Sequence, residues 1–171
     1  MNGVVLISGS GSNLQSIIDN SSEIDLNINC VISSNSDAYG LKRAEKAGIP
    51  IAIIDHKLFD SGIAADKEIM KVIDGTKAEV IILAGYMRIL SAGIIDNYLG
   101  KILNIHPSLL PKYKGLNTHQ RAIDAAEKIH GASVHFVTEE LDGGPVIAQS
   151  SVEIDSTDNA KSLASKVLKK E

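Results

Sequence analysis

An amide, an imidazole and a carboxylate stand in this chain in settings that suit acyl chemistry. Asn104 and His106 lie two apart in Asn104-Ile105-His106-Pro107-Ser108-Leu109-Leu110-Pro111, at the end of an apolar run over 101–105. On a strand, residues i and i+2 share a face. Pro107 has no N–H to offer a ladder and stops the strand. Both side chains therefore project together at a strand exit, a usual ligand position in parallel sheets. Asp142 sits in Leu141-Asp142-Gly143-Gly144-Pro145, a turn context that can carry a carboxylate close to another group. Asn104 can donate to the oxygen that becomes negative in a tetrahedral intermediate. His106 can donate to the same oxygen or move protons near neutral pH. Asp142 can orient and charge the imidazole, or accept a proton directly or through water. Singly, each is an ordinary turn or core feature; together they suit attack by an amine on an activated carbonyl.

The elements that must position these groups alternate. Residues 4–8 form a short, continuous apolar run ending in Gly-Ser-Gly, the mark of a strand buried on both faces. Helical spacing over 12–20, a strand over 27–33, a helix over 38–47, a strand over 50–54 and a helix over 63–73 follow. Residues 79–84 make the clearest central strand; a short helix over 91–98 leads into the strand over 101–105. The pattern then changes to a helix over 118–128, strands over 132–138 and 145–154 that pair antiparallel beside the last parallel strand, and a closing helix over 157–170 with a basic end. The architecture expected is α/β: a doubly wound, mostly parallel sheet with helices on both faces and antiparallel strands near the C-terminal end.

Two loops beyond strand ends read as ligand positions. Gly9-Ser10-Gly11-Ser12-Asn13 opens the first helix, where glycines admit an anion to free N–H groups and a favourable dipole. Leu14 stands where a dinucleotide fingerprint wants glycine or alanine, and the second strand ends in Ser33-Ser34-Asn35 without an acid at its tip, so a single phosphate is preferred to a dinucleotide. Gly85-Tyr86-Met87-Arg88-Ile89-Leu90 follows the strongest strand, and its Met and Leu can cover a flat ring. The five histidines match no metal-ligand spacing. His56 and His130 read as surface residues, and His119 and His135 as supports for the site. Lys42, Arg43, Glu45 and Lys46 read as a solvated helix face, as do Lys166, Lys169 and Lys170.

At 171 residues the chain suits one domain with a real core. With no Trp and few aromatics, that core is expected to be Ile, Leu, Val and Ala. A net charge of −4 argues against nucleic acid as a general partner. The single cysteine, Cys30, has no internal partner and lies in an apolar stretch. No signal peptide and no membrane span is read, which suits a reducing cytoplasm.

Asn104-Ile-His-Pro-Ser-Leu-Leu-Pro-Lys-Tyr with Gly115, Gly131-Ala-Ser-Val-His-Phe-Val-Thr and Leu141-Asp-Gly-Gly-Pro-Val-Ile-Ala-Gln resemble the formyltransferase family that uses 10-formyltetrahydrofolate. Val4-Val-Leu-Ile-Ser-Gly-Ser-Gly-Ser-Asn-Leu-Gln and Leu83-Ala-Gly-Tyr-Met-Arg-Ile-Leu narrow the resemblance to the branch that formylates glycinamide ribonucleotide. The resemblance runs almost end to end. It implies the formyltransferase fold with a Rossmann-like N-terminal half, a nucleotide phosphate-binding half over 1–100, and a catalytic and folate-binding half over 101–171. It implies that Asn104, His106 and Asp142 are catalytic, and that Gly11, Ser12, Asn13 and Glu171 bind the nucleotide's phosphate and ribose. It further implies that Met87, Arg88, Ile89, Leu90 and Val137 line the folate pocket, that 10-formyltetrahydrofolate is the co-substrate, and that no metal takes part. The partners implied are these small molecules, with a monomer or homodimer as the state of the protein.

The sequence departs from that pattern at two points. Gly62 stands where the family carries a basic residue near the folate's glutamate tail, with Lys67 nearby. The family also runs a few dozen residues past Glu171. Two alternatives stay open at this point: a hydrolase releasing formate from 10-formyltetrahydrofolate, and a folate- or nucleotide-binding protein without catalysis. Against the hydrolase, His106 is followed by Pro107, where the deformylases have a second histidine.

Overall fold

A computed structural model describes residues 1–171. The strands are β1 (Asn2–Ile7), β2 (Asn27–Ser33), β3 (Ile51–Ile53), β4 (Val80–Leu83), β5 (Ile102–His106), β6 (Ile129–Phe136) and β7 (Val146–Glu153). The helices are α1 (Ser12–Asn20), α2 (Tyr39–Lys46), α3 (Gly62–Thr76), α4 (Ala92–Asn97), α5 (Thr118–Asp124) and α6 (Ala160–Leu168), with a short 3₁₀ turn at His56–Leu58. The seven strands run in the order β3-β2-β1-β4-β5-β6-β7. The chain divides into two compact units, Met1–Leu103 and Asn104–Glu171; β5 begins in the first and ends in the second.

The first unit is the parallel, helix-alternating half. β1 pairs in parallel with β2 on one side, Val5 opposite Val31, and with β4 on the other, Val5 opposite Ile82. That placement explains the continuous apolar run. Val4, Val5, Leu6 and Ile7 are all fully buried, because no face of β1 meets water. Each such burial stabilises by about 1.5–3 kcal/mol, so β1 is the strand this unit can least spare. Around it Ile7, Leu14, Val31, Leu41 and Ala44 form an aliphatic core. Helix α3 starts where the Ser61 side chain accepts the Ala64 N–H, satisfying one of the donors a helix start leaves over.

The second unit pairs β6 and β7 antiparallel, with Gly131 opposite Ser151 and Ser133 opposite Gln149. A Cβ on Gly131 would sit 2.0 Å from the Ser150 carbonyl oxygen, so the strand crossing needs glycine there. Leu163 and Val167 of α6 bury against Ala132. Helix α6 begins at a capping box, Asn159 taking the Ser162 N–H while Ser162 takes that of Asn159.

Most expected boundaries fall within two residues of those observed, and three differences are informative. Helix α5 ends at Asp124 rather than 128, and β6 begins at Ile129 rather than 132. Pairing of Ile129 with Glu153 and of His130 with Val152 draws those residues into the sheet, a tertiary contact that outweighs local propensity. Helix α6 begins three residues later than expected, because Asn159 caps it. The 3₁₀ turn at His56–Leu58, capped by Asp55, has no counterpart in the periodicity.

Candidate active site

The site is built at the carboxyl end of β5. Asn104 and His106 both reach Asp142 from that strand: Asn104 Nδ2 lies 3.4 Å from Asp142 Oδ1, and His106 Nδ1 lies 3.4 Å from Asp142 Oδ2. The second imidazole nitrogen, Nε2, is 3.0 Å from the Tyr113 carbonyl oxygen. A carbonyl only accepts, so Nε2 carries hydrogen. Beyond Pro107 the chain turns back at once, with the Ser108 N–H on the His106 carbonyl and Ser108 Oγ on the Lys112 carbonyl. Buried Ser133 ties this return to β6. Its hydroxyl donates to the Ser108 carbonyl and accepts from the Leu110 N–H and from Gln149 of β7.

Asp142 is carried by the turn between β6 and β7, in a left-handed conformation at φ 48° that aspartate tolerates better than most residues. The turn packs on the end of β6 so closely that a Cβ on Gly144 would lie 1.9 Å from the Phe136 carbonyl oxygen. The carboxylate accepts the Gly115 N–H at 2.8 Å and lies 3.6 Å from His135 Nε2. Burial pushes its pKa up. The neighbouring His135 imidazole, the Gly115 N–H and the His106 imidazole together outweigh burial and hold the pKa below the ordinary carboxylate value. The group is thus kept ionised.

His135 is a support within this cluster. Its Nδ1 lies 2.8 Å from the Phe136 carbonyl oxygen, so Nδ1 carries hydrogen and a neutral ring presents a lone pair at Nε2. That lone pair takes one Asn104 N–H, at 3.1 Å, and so orients the amide. His119 lies instead against His130, with ring centroids 5.2 Å apart. His130 corrects an expectation: read as a surface residue, it is 1% exposed. The strand start at Ile129 carries it inward, and His119 and Tyr113 flank its ring.

The other expected residues are placed as follows. Gly11 precedes α1 with φ 69°, and a Cβ there would come 2.5 Å from the Gly40 Cα, so α2 backs the loop at glycine contact. Helix α1 has no side-chain hydrogen bond at its cap. Ser12 and Asn13 are half-buried at this start. Arg43, expected on a solvated face, instead donates from Nε to the Ser10 carbonyl and from Nη1 to Gln15 Oε1. Met87 and Ile89 expose about three quarters of their surface, while Leu90 is buried. The Met87 N–H donates to Ser8 Oγ. The Arg88 guanidinium is held by buried Asp66 at 3.3 Å and leans over Gly62, donating to its carbonyl at 3.4 Å. Val137 and Glu171 are half-buried in the second unit. The trio, Val137 and Glu171 thus belong to the second unit, and the residues at 11–13 and 87–90 to the first.

Comparisons with known proteins give one consistent result. The formyl transferase family model matches residues 1–171. The chain is 49% identical to the phosphoribosylglycinamide formyltransferase of Escherichia coli (strain K12), over 98% of this chain and 80% of that protein. It is 42% identical to the trifunctional purine biosynthetic protein adenosine-3 of Homo sapiens, over 95% of this chain and 16% of that protein. The solved structure of the Coxiella burnetii phosphoribosylglycinamide formyltransferase in complex with CHES superposes with a TM-score of 0.94 at 47% identity, covering 99% of this chain and 80% of that one. The sequence, the sheet order and these likenesses agree: the chain belongs to the formyl transferase family, on its phosphoribosylglycinamide formyltransferase branch.

Proposed function

We propose that this chain transfers the formyl group of 10-formyltetrahydrofolate to the amine of glycinamide ribonucleotide, a step of purine biosynthesis, through Asn104, His106 and Asp142. The observation that carries this reading is the meeting of Asn104 and His106 at one ionised carboxylate, each at 3.4 Å. The neutral amine attacks the formyl carbon. Asn104, through the N–H that makes only a long contact to Asp142, donates to the oxyanion that forms, and protonated His106, whose two ring N–H groups face Asp142 and the Tyr113 carbonyl, stabilises it by its positive charge. Asp142 pairs with the imidazolium, and a water linked to Asp142 carries a proton from the new ammonium to the leaving folate nitrogen. Collapse of the intermediate breaks the bond from carbon to that nitrogen and leaves formylated nucleotide and tetrahydrofolate. No metal is assigned to this chemistry, since donors from the protein supply the oxyanion's stabilisation.

The nucleotide phosphate is assigned to Gly11, Ser12 and Asn13 at the start of α1, and the ribose to Glu171. The folate ring is assigned to the stretch Met87, Arg88, Ile89 and Leu90 with Val137: exposed Met87 and Ile89 offer side chains, and Arg88 and Leu90, whose side chains are engaged elsewhere, offer backbone. On this reading residues 1–100 hold the phosphate and 101–171 hold the catalytic groups. No helix is long and apolar enough to cross a membrane, and a cytoplasmic setting suits both substrates. A steady-state assay with 10-formyltetrahydrofolate, with and without glycinamide ribonucleotide, tests the proposal. Tetrahydrofolate release that depends on the nucleotide is expected; release without it would assign a hydrolase instead.

A further inference from the structure

One stretch of backbone, residues 113–116, touches both proton-handling groups of the site. The Tyr113 carbonyl faces His106 Nε2 at 3.0 Å, and the Gly115 N–H donates to Asp142 Oδ2 at 2.8 Å. This stretch belongs to no strand or helix. Tyr113 and Gly115 have φ of 58° and 78°; a left-handed tyrosine is strained and persists only where its surroundings impose it. The surroundings that impose it lie behind the stretch, on α5. Arg121 Nη1 donates to the Lys114 carbonyl at 2.6 Å and to the Leu116 carbonyl at 3.3 Å, the two carbonyls that flank Gly115. The same guanidinium lies 5.3 Å from the centre of the Tyr113 ring, within cation–π range. Glu127 secures the near end by accepting from Tyr113 Oη and Lys112 Nζ.

We propose that Arg121 is a positioning residue for the transfer reaction: it fixes residues 113–116 so that one carbonyl and one N–H stay aimed at His106 and Asp142. The proposal rests on the reading of Asn104, His106 and Asp142 as the catalytic groups. None of the contacts made by Arg121 is to those three residues, so its influence passes through the backbone it holds. An arginine suits the task because its flat cation can bond carbonyls and cover a ring at once, whereas a lysine offers a point charge without the stacking plane. Without the clamp, the Gly115 N–H is no longer held to Asp142. The carboxylate then keeps His106, His135 and Asn104 but loses its backbone donor, so it titrates at higher pH.

The test compares the wild-type chain with Arg121→Met and Arg121→Lys, by transferase kinetics across pH and by hydrogen exchange of backbone amides. Arg121→Met is expected to lower kcat about tenfold while the nucleotide KM stays within about twofold, since misplacement of catalytic groups acts on turnover. The acid limb of its pH profile is expected at higher pH. The Gly115 amide is expected to exchange faster while amides of β6 keep their protection, and Arg121→Lys, which keeps the cation but not the flat plane, to recover only part of the turnover. Wild-type kcat and pH profile in Arg121→Met would overturn the proposal. So would equal loss of protection at Gly115 and throughout β6, which would make Arg121 a general stability residue. Should the wild-type chain lack transferase activity, the functional reading fails and Gly115 exchange alone decides on the clamp: faster exchange in Arg121→Met supports it, and unchanged exchange overturns it.

Discussion

At the scale of single residues, the site is a set of groups with few partners to spare. Asn104 gives one N–H to His135 and retains only a 3.4 Å contact for the other, so in the proposed mechanism an arriving oxyanion finds a donor already oriented. Removing such a donor lowers turnover by roughly a hundredfold to a thousandfold. Asn104→Ala is expected to show that loss in kcat with substrate KM values nearly unchanged; turnover close to wild type would contradict the assignment. His130 makes a second prediction, on stability. Its pKa is lowered to about 4, first by burial and then by the charge of His119, against the Pro107 carbonyl and Glu127, which raise it. An unperturbed histidine titrates near 6.5, so between these values the unfolded chain binds more protons than the folded one. Stability therefore rises with pH over this window and is lost as pH falls from about 6.5 towards about 4. Urea midpoints measured across the window should fall less steeply for His130→Leu than for wild type, and parallel slopes would refute the linkage.

At the scale of elements, strand ends and helix starts do the positioning. Pro107 ends β5 directly after His106, and the sequence announced this in the apolar run, the i, i+2 spacing and the proline. The start of α1 is equally legible, because only glycine tolerates both φ 69° and a neighbour at Gly40. Gly11→Ala combines a left-handed conformation with a backbone clash, and a cost of about 2–4 kcal/mol is expected from those two effects. Thermal melting would measure it, and a loss under about 0.5 kcal/mol, the range of neutral surface changes, would show that the loop shifts freely. Other features at this scale were not legible. The short α5 and early β6 depend on pairing with residues about two dozen positions later, and nothing local at 125–131 signals a partner so distant. Arg43 likewise reads as one cation on a polar face. Only the approach of α2 to the loop before α1 turns it into a brace for Ser10 and Gln15.

At the scale of the whole molecule, binding and folding are linked. A ligand present at a hundred times its Kd stabilises the folded chain by about 2.7 kcal/mol, which for a chain of this size is a rise of roughly 5–10 °C in Tm. Glycinamide ribonucleotide and tetrahydrofolate are each expected to raise Tm in this way, and failure of both to do so would count against the proposed substrates. What the sequence by itself determined were the things that side-chain pattern encodes. Continuous apolar runs mark strands shielded on both faces, helical spacing marks the crossovers, and an aliphatic composition sets the kind of core. The types and spacing of Asn104, His106 and Asp142 pointed to the class of chemistry proposed for them. The tertiary structure alone decided which backbone atoms complete the site. The Tyr113 carbonyl and the Gly115 N–H are chemically the same as those of their neighbours, so no residue type betrays them. They reach the proposed site because a left-handed turn, bonded by Arg121, brings them to His106 and to an aspartate 27 residues further on. The burial of His130 was decided in the same way, since whether an imidazole meets water depends on the strand that pairs beside it rather than on the residue.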